Sequence, residues 1–406
     1  MLFCCLLAAW LVLPWFVVTG CRPPQNSGRA LEEAADDRPQ ADAGESAAAP
    51  SAVLDVLQAI EGAFGAVERE GRTIVGVDLA LERASATDEV LTLALTLPNL
   101  KKFRLAGGSL SANVFVGLKA QEDLEELFLQ DLTIADEELL SVLSALPKLR
   151  RLTLRRLPHI SDAGIVPLFQ FPTLRQLALI EMSITGFGAL REQTMLTALD
   201  VRNCARLVPD DYRTLVRLTT LVDLKIGGFA VDDRCLEAVA LLPALKGLTI
   251  DDSLVSAKGL AQFVTDSLSA DSLETLVLNR NMSFSDEALL ALGNLLRLKR
   301  LILGDAMVTG GFLARLAEDE LVRPKLGELS LRKTLLTEQA IESLLRYPEL
   351  RSLQISGTAL TVEGAKTLLS LPWLERLDLT DCFLDDDTLR YLQESELPPS
   401  LKTFKY

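Results

Sequence analysis

Apolar residues in this chain fall into one short arrangement that returns again and again. An apolar anchor is followed by apolar residues three and five places later, as in Leu124, Leu127 and Leu129; Leu196, Leu199 and Val201; Leu273, Leu276 and Leu278; and Leu350, Leu353 and Ile355. Positions +3 and +5 are one strand period apart, so they share one face of an extended segment. The anchors are Ile74, Leu100, Leu124, Leu149, Leu174, Leu196, Leu221, Leu245, Leu273, Leu298, Leu326, Leu350, Leu374 and Leu401. Many successive steps are 24 or 25 residues, such as Leu124 to Leu149 to Leu174 and Leu326 to Leu350 to Leu374. At +10 a further apolar residue closes the turn (Ile134, Ile184, Val231, Val308, Leu336, Leu360, Leu384), slipping to +11 at Ile160, Leu207 and Phe284. A residue that accepts hydrogen bonds at helix starts often comes next: Thr185, Asp232, Ser256, Thr309, Thr337, Thr361 or Asp385. The segment after it carries the apolar stripe of a short helix, as at Leu139, Leu140 and Leu143. Each repeat therefore predicts strand, turn and helix.

A unit this small cannot bury its own apolar face, so it must stack on its neighbours. Strands pair in parallel, and the helix supplies the crossover. Strands sit ~4.8 Å apart whereas helix axes need about 8–10 Å, which bends the stack with the sheet inside. The predicted fold class is an α/β right-handed solenoid, a curved arc with a parallel sheet on the concave face and helices on the convex face. The run L-E-R-L-D-L-T-D-C-F-L from Leu374 to Leu384 resembles the leucine-rich repeat frame L-x-x-L-x-L-x-x-N/C-x-L. Cys204, Asn281 and Cys382 all occupy the Asn/Cys slot at +8. About 13 repeats and a terminal strand are expected over residues 73–406, behind a capping helix at 51–72 that carries Val53, Leu54, Leu57, Ile60, Phe64 and Val67.

Residues 1–20 read as an apolar leader, and Val18-Thr19-Gly20-Cys21 resembles the lipobox of bacterial lipoproteins. That resemblance implies cleavage before Cys21 and a lipid on its thiol; a retained helical anchor is the alternative. Residues 21–50, rich in Ala, Pro, Gly, Ser, Asp and Glu, read as a disordered tether. Both readings place the repeats outside the cytoplasm, in the cell envelope and anchored to its membrane. From the helix and the G-R-T-I-V-G-V-D-L run at Gly71 onward, the chain is similar to leucine-rich repeat proteins of environmental bacteria such as planctomycetes.

Composition narrows the function. A formal charge of −15 argues against nucleic acid, which needs a basic footprint. The single histidine, His159, sits beside Pro158 in an inserted turn, and no nucleophile elbow, phosphate loop or zinc spacing accompanies it. No catalytic residue, metal or cofactor is expected, and Cys204, Cys235 and Cys382 read as structural. An envelope hydrolase would need titratable groups gathered in one place, and the sequence shows no such gathering. What remains is a surface. Strand positions +2, +4 and +6 face away from the core and offer Lys102, Arg104, Phe128, Arg151, Arg155, Asp200, Arg202, Lys225 and Arg300. Arginines among a few apolar residues suit a protein partner. The expected function is non-catalytic protein binding through this face; a passive structural spacer of the envelope is the alternative.

Overall fold

A computed structural model of the protein describes residues 50–107, 111–165, 168, 172–188, 195–318 and 325–406. The leader, Cys21 and the tether up to residue 49 lie outside the described residues. The chain divides into two units, Met1–Ala47 and Ala48–Tyr406, and only the second is described.

Within it, the described residues form a 15-stranded sheet whose strands lie in chain order, interrupted only where the pair Ala359–Leu360 and Phe383–Leu384 makes a small sheet of its own. Past the first pair, the strands of the large sheet run parallel, and they pair anchor to anchor. Leu224 lies opposite Leu248, Leu248 opposite Leu276, Leu276 opposite Leu301, Leu301 opposite Leu329, and Leu329 opposite Leu353. Every one of these +3 leucines is 0% or 1% exposed. Burial of that kind contributes about 1.5–3 kcal/mol per side chain. No rung has a core of its own, because each leucine is covered by the leucines above and below it. The architecture is the leucine-rich repeat solenoid that the periodicity predicts.

The start of the unit differs from expectation. The helix covers only Pro50–Gly62, not residues 51–72. Phe64 takes a left-handed φ of 56°, and Ala66–Glu70 then forms a strand antiparallel to Thr73–Leu79. The reason is the sheet edge. A helix can cover apolar side chains, but only another strand can pair the free backbone groups of the first parallel strand. Gly71, at φ 64°, makes the hairpin turn.

The convex segments are also less uniform than strand–turn–helix implies. Helices range from four residues at Asp162–Ile165 to ten at Ala257–Asp266. Pro209–Arg217 is a 3₁₀ helix, and Asp286–Leu289 continues into 3₁₀ geometry at Leu290–Asn294. Ser256, Thr337, Thr361 and Asp385 cap helices as expected. Thr309 does not: the cap is Gly310 at φ 81°, while the Thr309 amide and hydroxyl donate to Asp286 in the preceding rung.

Two ladders bind one rung to the next. Acids in the first turn of one helix accept from the cap hydroxyl of the following rung: Asp136 from Ser161, Asp233 from Ser256, Glu338 from Thr361. Glycine makes room for this carboxylate, since a Cβ on Gly259 would sit 2.0 Å from Asp233 Oδ1. The second ladder is the +8 slot. Asn281 Nδ2 donates to Ile250 O (2.7 Å) and Asn279 O (2.9 Å), while its Oδ1 accepts from the Ser253 amide (3.1 Å) and hydroxyl (2.6 Å). Cys204 and Cys382 thiols donate to the equivalent carbonyls, Leu179 O and Ile355 O, at 2.9 and 3.2 Å. A thiol is a weak donor and cannot complete the Asn281 network. Asn281→Ala is therefore expected to cost about 2–3 kcal/mol in urea unfolding, because it strands buried polar groups. Cys382→Ala is expected to cost under about 1.5 kcal/mol; equal losses would contradict the assigned roles.

Candidate interaction surface

The parallel register sets the concave face as three columns of side chains. At +2, Lys102, Glu126, Arg151 and Gln176 are successive neighbours; at +4, Arg104, Phe128, Thr153 and Ala178; at +6, Gln130, Arg155 and Ile180. All nine residues expected on this face are described, and they fall into distinct groups.

The N-terminal group is a lattice of alternating charge. Lys102 Nζ lies 2.6 Å from Glu68, on the hairpin strand that the sequence reading took for helix. Arg104 lies 3.1 Å from Asp78 and 3.7 Å from Glu126, and its guanidinium stacks 4.3 Å above the Phe128 ring. Its Nε makes no aligned hydrogen bond, so the Asp78 contact is a charge contact. Arg151 reaches Glu126 at 3.3 Å, and Arg155 reaches Glu181 at 2.8 Å. These cations still meet solvent: side-chain exposure is 56% for Arg151 and 32% for Arg104. Being exposed, each pair is worth about 0–1 kcal/mol, so it orients a side chain more than it stabilises the fold.

The central group is different. Arg202 folds back onto Asp200 (2.8 Å) and spans to Asp251 (3.0 Å), with Arg280 3.9 Å from the same carboxylate. Asp200 and Asp251 are 9% and 6% exposed. Burial works against the Arg202 charge, but hydrogen bonds and attraction from Asp200 and then Asp251 outweigh it and raise its pKa. Small residues also stand in this stretch: Ala178, Ala198, Gly227 and Gly247. Lys225 lies in it, between Asp200 and Thr249. Farther along, Arg300 contacts Glu328 at 3.1 Å, again without an aligned bond at Nε.

A row that sequence reasoning missed borders these columns. At +7, Gly107, Asp131, Arg156, Glu181, Asn203, Gly228, Asp252, Arg280, Asp305, Lys333, Gly357 and Asp381 all have φ between 48° and 95°. The twelve strands from Lys102–Ala106 to Arg376–Asp378 of the large sheet are each followed by a left-handed residue, where β-branched side chains are strongly disfavoured. The signal was present, since no Val, Ile or Thr stands at these positions. Part of this row is charged and paired. Arg156 grips Asp131 through two nitrogens, Nη2 at 2.6 Å, and reaches Glu181 at 3.3 Å. The Arg156 hydrogen bond holds the Asp131 carboxyl below its usual range, so the pair loses its contribution only as pH falls through that lowered value.

Chemistry is not concentrated anywhere comparable. Burial pushes the Cys204 and Cys235 thiols up to about 11, which leaves them protonated and non-nucleophilic at neutral pH. His159 is exposed in its turn. A convex groove of about 410 Å³ is lined by Asp233, Glu237, Lys258, Gln262 and Asp266 without a nucleophile–base pair. Among the described residues, no three His, Cys, Asp or Glu are placed to hold a metal, and no helix is long and apolar enough to cross a membrane.

By its rungs, register and +8 ladder, the chain has the leucine-rich repeat solenoid fold. It is similar in three dimensions to an internalin (inlF) from Listeria monocytogenes str. 4b F2365, at 17% sequence identity and a TM-score of 0.45, covering 87% of this chain and 94% of that one. It is also similar to a chain of the Toll–Spatzle complex of Drosophila, at 15% identity and a TM-score of 0.41, covering 76% of this chain and 43% of that one. No protein-family model and no curated protein matches the sequence.

The contrast between the two charged groups is measurable. Asp251→Ala would leave Arg202 in a buried setting with one carboxylate fewer. It is expected to cost about 2–4 kcal/mol, whereas Glu126→Ala beside exposed Arg151 should cost under about 1 kcal/mol. Urea unfolding of both variants checks the difference, and equal values would contradict it.

Proposed function

We propose that this is an extracytoplasmic, lipid-anchored leucine-rich repeat protein that binds a protein partner through its concave face and performs no chemistry of its own. The observation that carries the reading is the N-terminal lattice. Lys102, Arg104, Arg151 and Arg155 are held in place by acids on neighbouring strands and turns while remaining partly open to solvent. Side chains already held in place lose less entropy on docking. Arginine and phenylalanine are also the residue types that dominate protein interfaces, and Arg104 over Phe128 presents both together. The protonated thiols and dispersed carboxylates support a non-catalytic role. The anchor rests on the apolar leader and the Val18-Thr19-Gly20-Cys21 run.

A passive spacer is the second reading, favoured by the buried Asp200–Arg202–Asp251 cluster, whose charges are paired within the protein. Both readings keep Cys21 as the anchor. In a bacterial host fed a clickable fatty acid, the wild-type chain is expected to take up label and Cys21→Ala to take up none; equal labelling would remove the lipid. A photo-crosslinking residue at Thr153, in the full-length chain in its own cells, separates partner binding from the spacer role. A discrete crosslinked protein, reduced at least about tenfold by Arg151→Glu at unchanged melting temperature, is expected, a loss of about 1.4 kcal/mol. An absent crosslink, or one indifferent to Arg151→Glu, contradicts binding at this surface.

A further inference from the structure

The turn between strand and helix changes character midway along the solenoid. The apolar residue at +10 or +11 belongs to the spine, buried at Ile160, Val255, Phe284, Val308, Leu336 and Leu360 and partly buried at Leu384. The residue just before it points outward. In the N-terminal rungs position +9 is held by Thr133, Pro158, Ser183 and Ala205. In later rungs large exposed apolar residues gather in this turn: Phe229, at +8 in the rung anchored at Leu221, is 75% exposed, and at +9 Leu254 is 58%, Met282 65%, Met307 55%, Leu335 57% and Phe383 74% exposed. Ala359 fills the remaining rung and is also exposed. At +9 the N-terminal rungs carry small or polar residues and most later rungs carry large apolar ones, so the solenoid itself does not require large apolar side chains there. Single exposed apolar side chains are ordinary, but a continuous row is the mark of an interaction site.

Part of the row is tied to the preceding rung by backbone hydrogen bonds. Leu254 N–H donates to Val231 O at 2.8 Å, Leu335 N–H to Val308 O at 2.9 Å, and Phe383 N–H to Thr358 O at 2.9 Å, so the turns themselves are bonded rung to rung. Ala359–Leu360 and Phe383–Leu384 are paired as short parallel strands. Rungs are ~4.8 Å apart at the strands and about 8–10 Å apart at the helices; the turn lies next to the strands, so its spacing is near 5–6 Å. One turn of an α-helix rises 5.4 Å. An α-helix laid along the row would thus offer one apolar residue per turn to one apolar residue per rung, over seven rungs and about 30 Å.

Charge selects among occupants. On the helix side, the first turns of the flanking helices carry Asp233, Asp286, Glu338 and Asp386 against Arg234 and Lys258. A helix N-terminus carries about half a positive charge at most, so each full carboxylate outweighs it. On the strand side Asp252, Asp305 and Asp381 alternate with Arg280 and Lys333. A second copy docking through the same row brings the same acid-rich borders, and an anionic bilayer is repelled. We propose that the flank from Phe229 to Phe383 docks an amphipathic helix of a partner protein, with an apolar stripe bordered by lysine or arginine. This surface is separate from the concave face and does not depend on what binds there.

The test uses the full-length chain and two labelled 21-residue helical peptides with leucine at each a and d position. One has lysine along the rims of the stripe and the other glutamate. Fluorescence anisotropy is expected to show binding of the lysine peptide, at least tenfold weaker binding of the glutamate peptide, and at least tenfold weakening by Met282→Glu with Leu335→Glu. The milder pair Met282→Ser with Leu335→Ser, at unchanged melting temperature, should weaken binding in the same direction. No binding, equal binding of both peptides, or indifference to the substitutions would overturn the proposal. So would a concentration-dependent dimer, or co-sedimentation with phosphatidylcholine vesicles, that either pair abolishes; these assign the row to a second copy or to lipid.

Discussion

The constraint on which everything else depends is that no rung can cover its own leucines. A 24-residue unit of strand, turn and short helix leaves the +3 and +5 side chains open above and below, and only identical units at the strand spacing close them. That is why Leu224, Leu248, Leu276, Leu301 and Leu329 lie opposite one another and are almost wholly buried. The polar ladders follow from the same stacking. Carbonyls at the strand ends would be stranded between rungs without Asn281, Cys204 and Cys382, and cap hydroxyls find acids one rung away because the helices are held in phase.

The spine frees the outside. Once burial is met at +3, +5 and +10, positions +2, +4, +6, +7 and +9 can vary without unfolding the array. They vary in blocks: an arginine–carboxylate lattice early on the concave face, a buried ion cluster at its centre, and an exposed apolar row on one flank of the later rungs. The concave lattice pre-orients charge at modest energetic gain, and the flank leaves apolar area uncovered at a cost in solubility. Both patterns are easier to understand as surfaces for partners than as devices for folding.

The spine was legible because period and burial are one-dimensional properties of the sequence. Anchors, the +8 slot and most helix caps could be read from spacing alone. The hairpin at Ala66–Glu70 could not, because its reason is the need to pair a sheet edge, which appears only once the sheet exists. Likewise, side chains on the concave face could be placed by parity, but not their partners. Arg155 and Glu181 are 26 residues apart in sequence, and only the register brings them together. The left-handed row at +7 and the apolar row that begins at Phe229 were visible in principle. Both need the repeats aligned by position before any pattern emerges.

The spine is tested most directly by hydrogen exchange, resolved along the chain, on Leu276→Asp. Leu276 is 0% exposed and lies between Leu248 and Leu301. If neighbouring rungs supply each other's core, protection is lost in the mutated rung and spreads in both directions to the rungs anchored at Leu245 and Leu298. Loss confined to the mutated strand, with those neighbours as protected as before, would mean that each rung stands alone and would contradict the account.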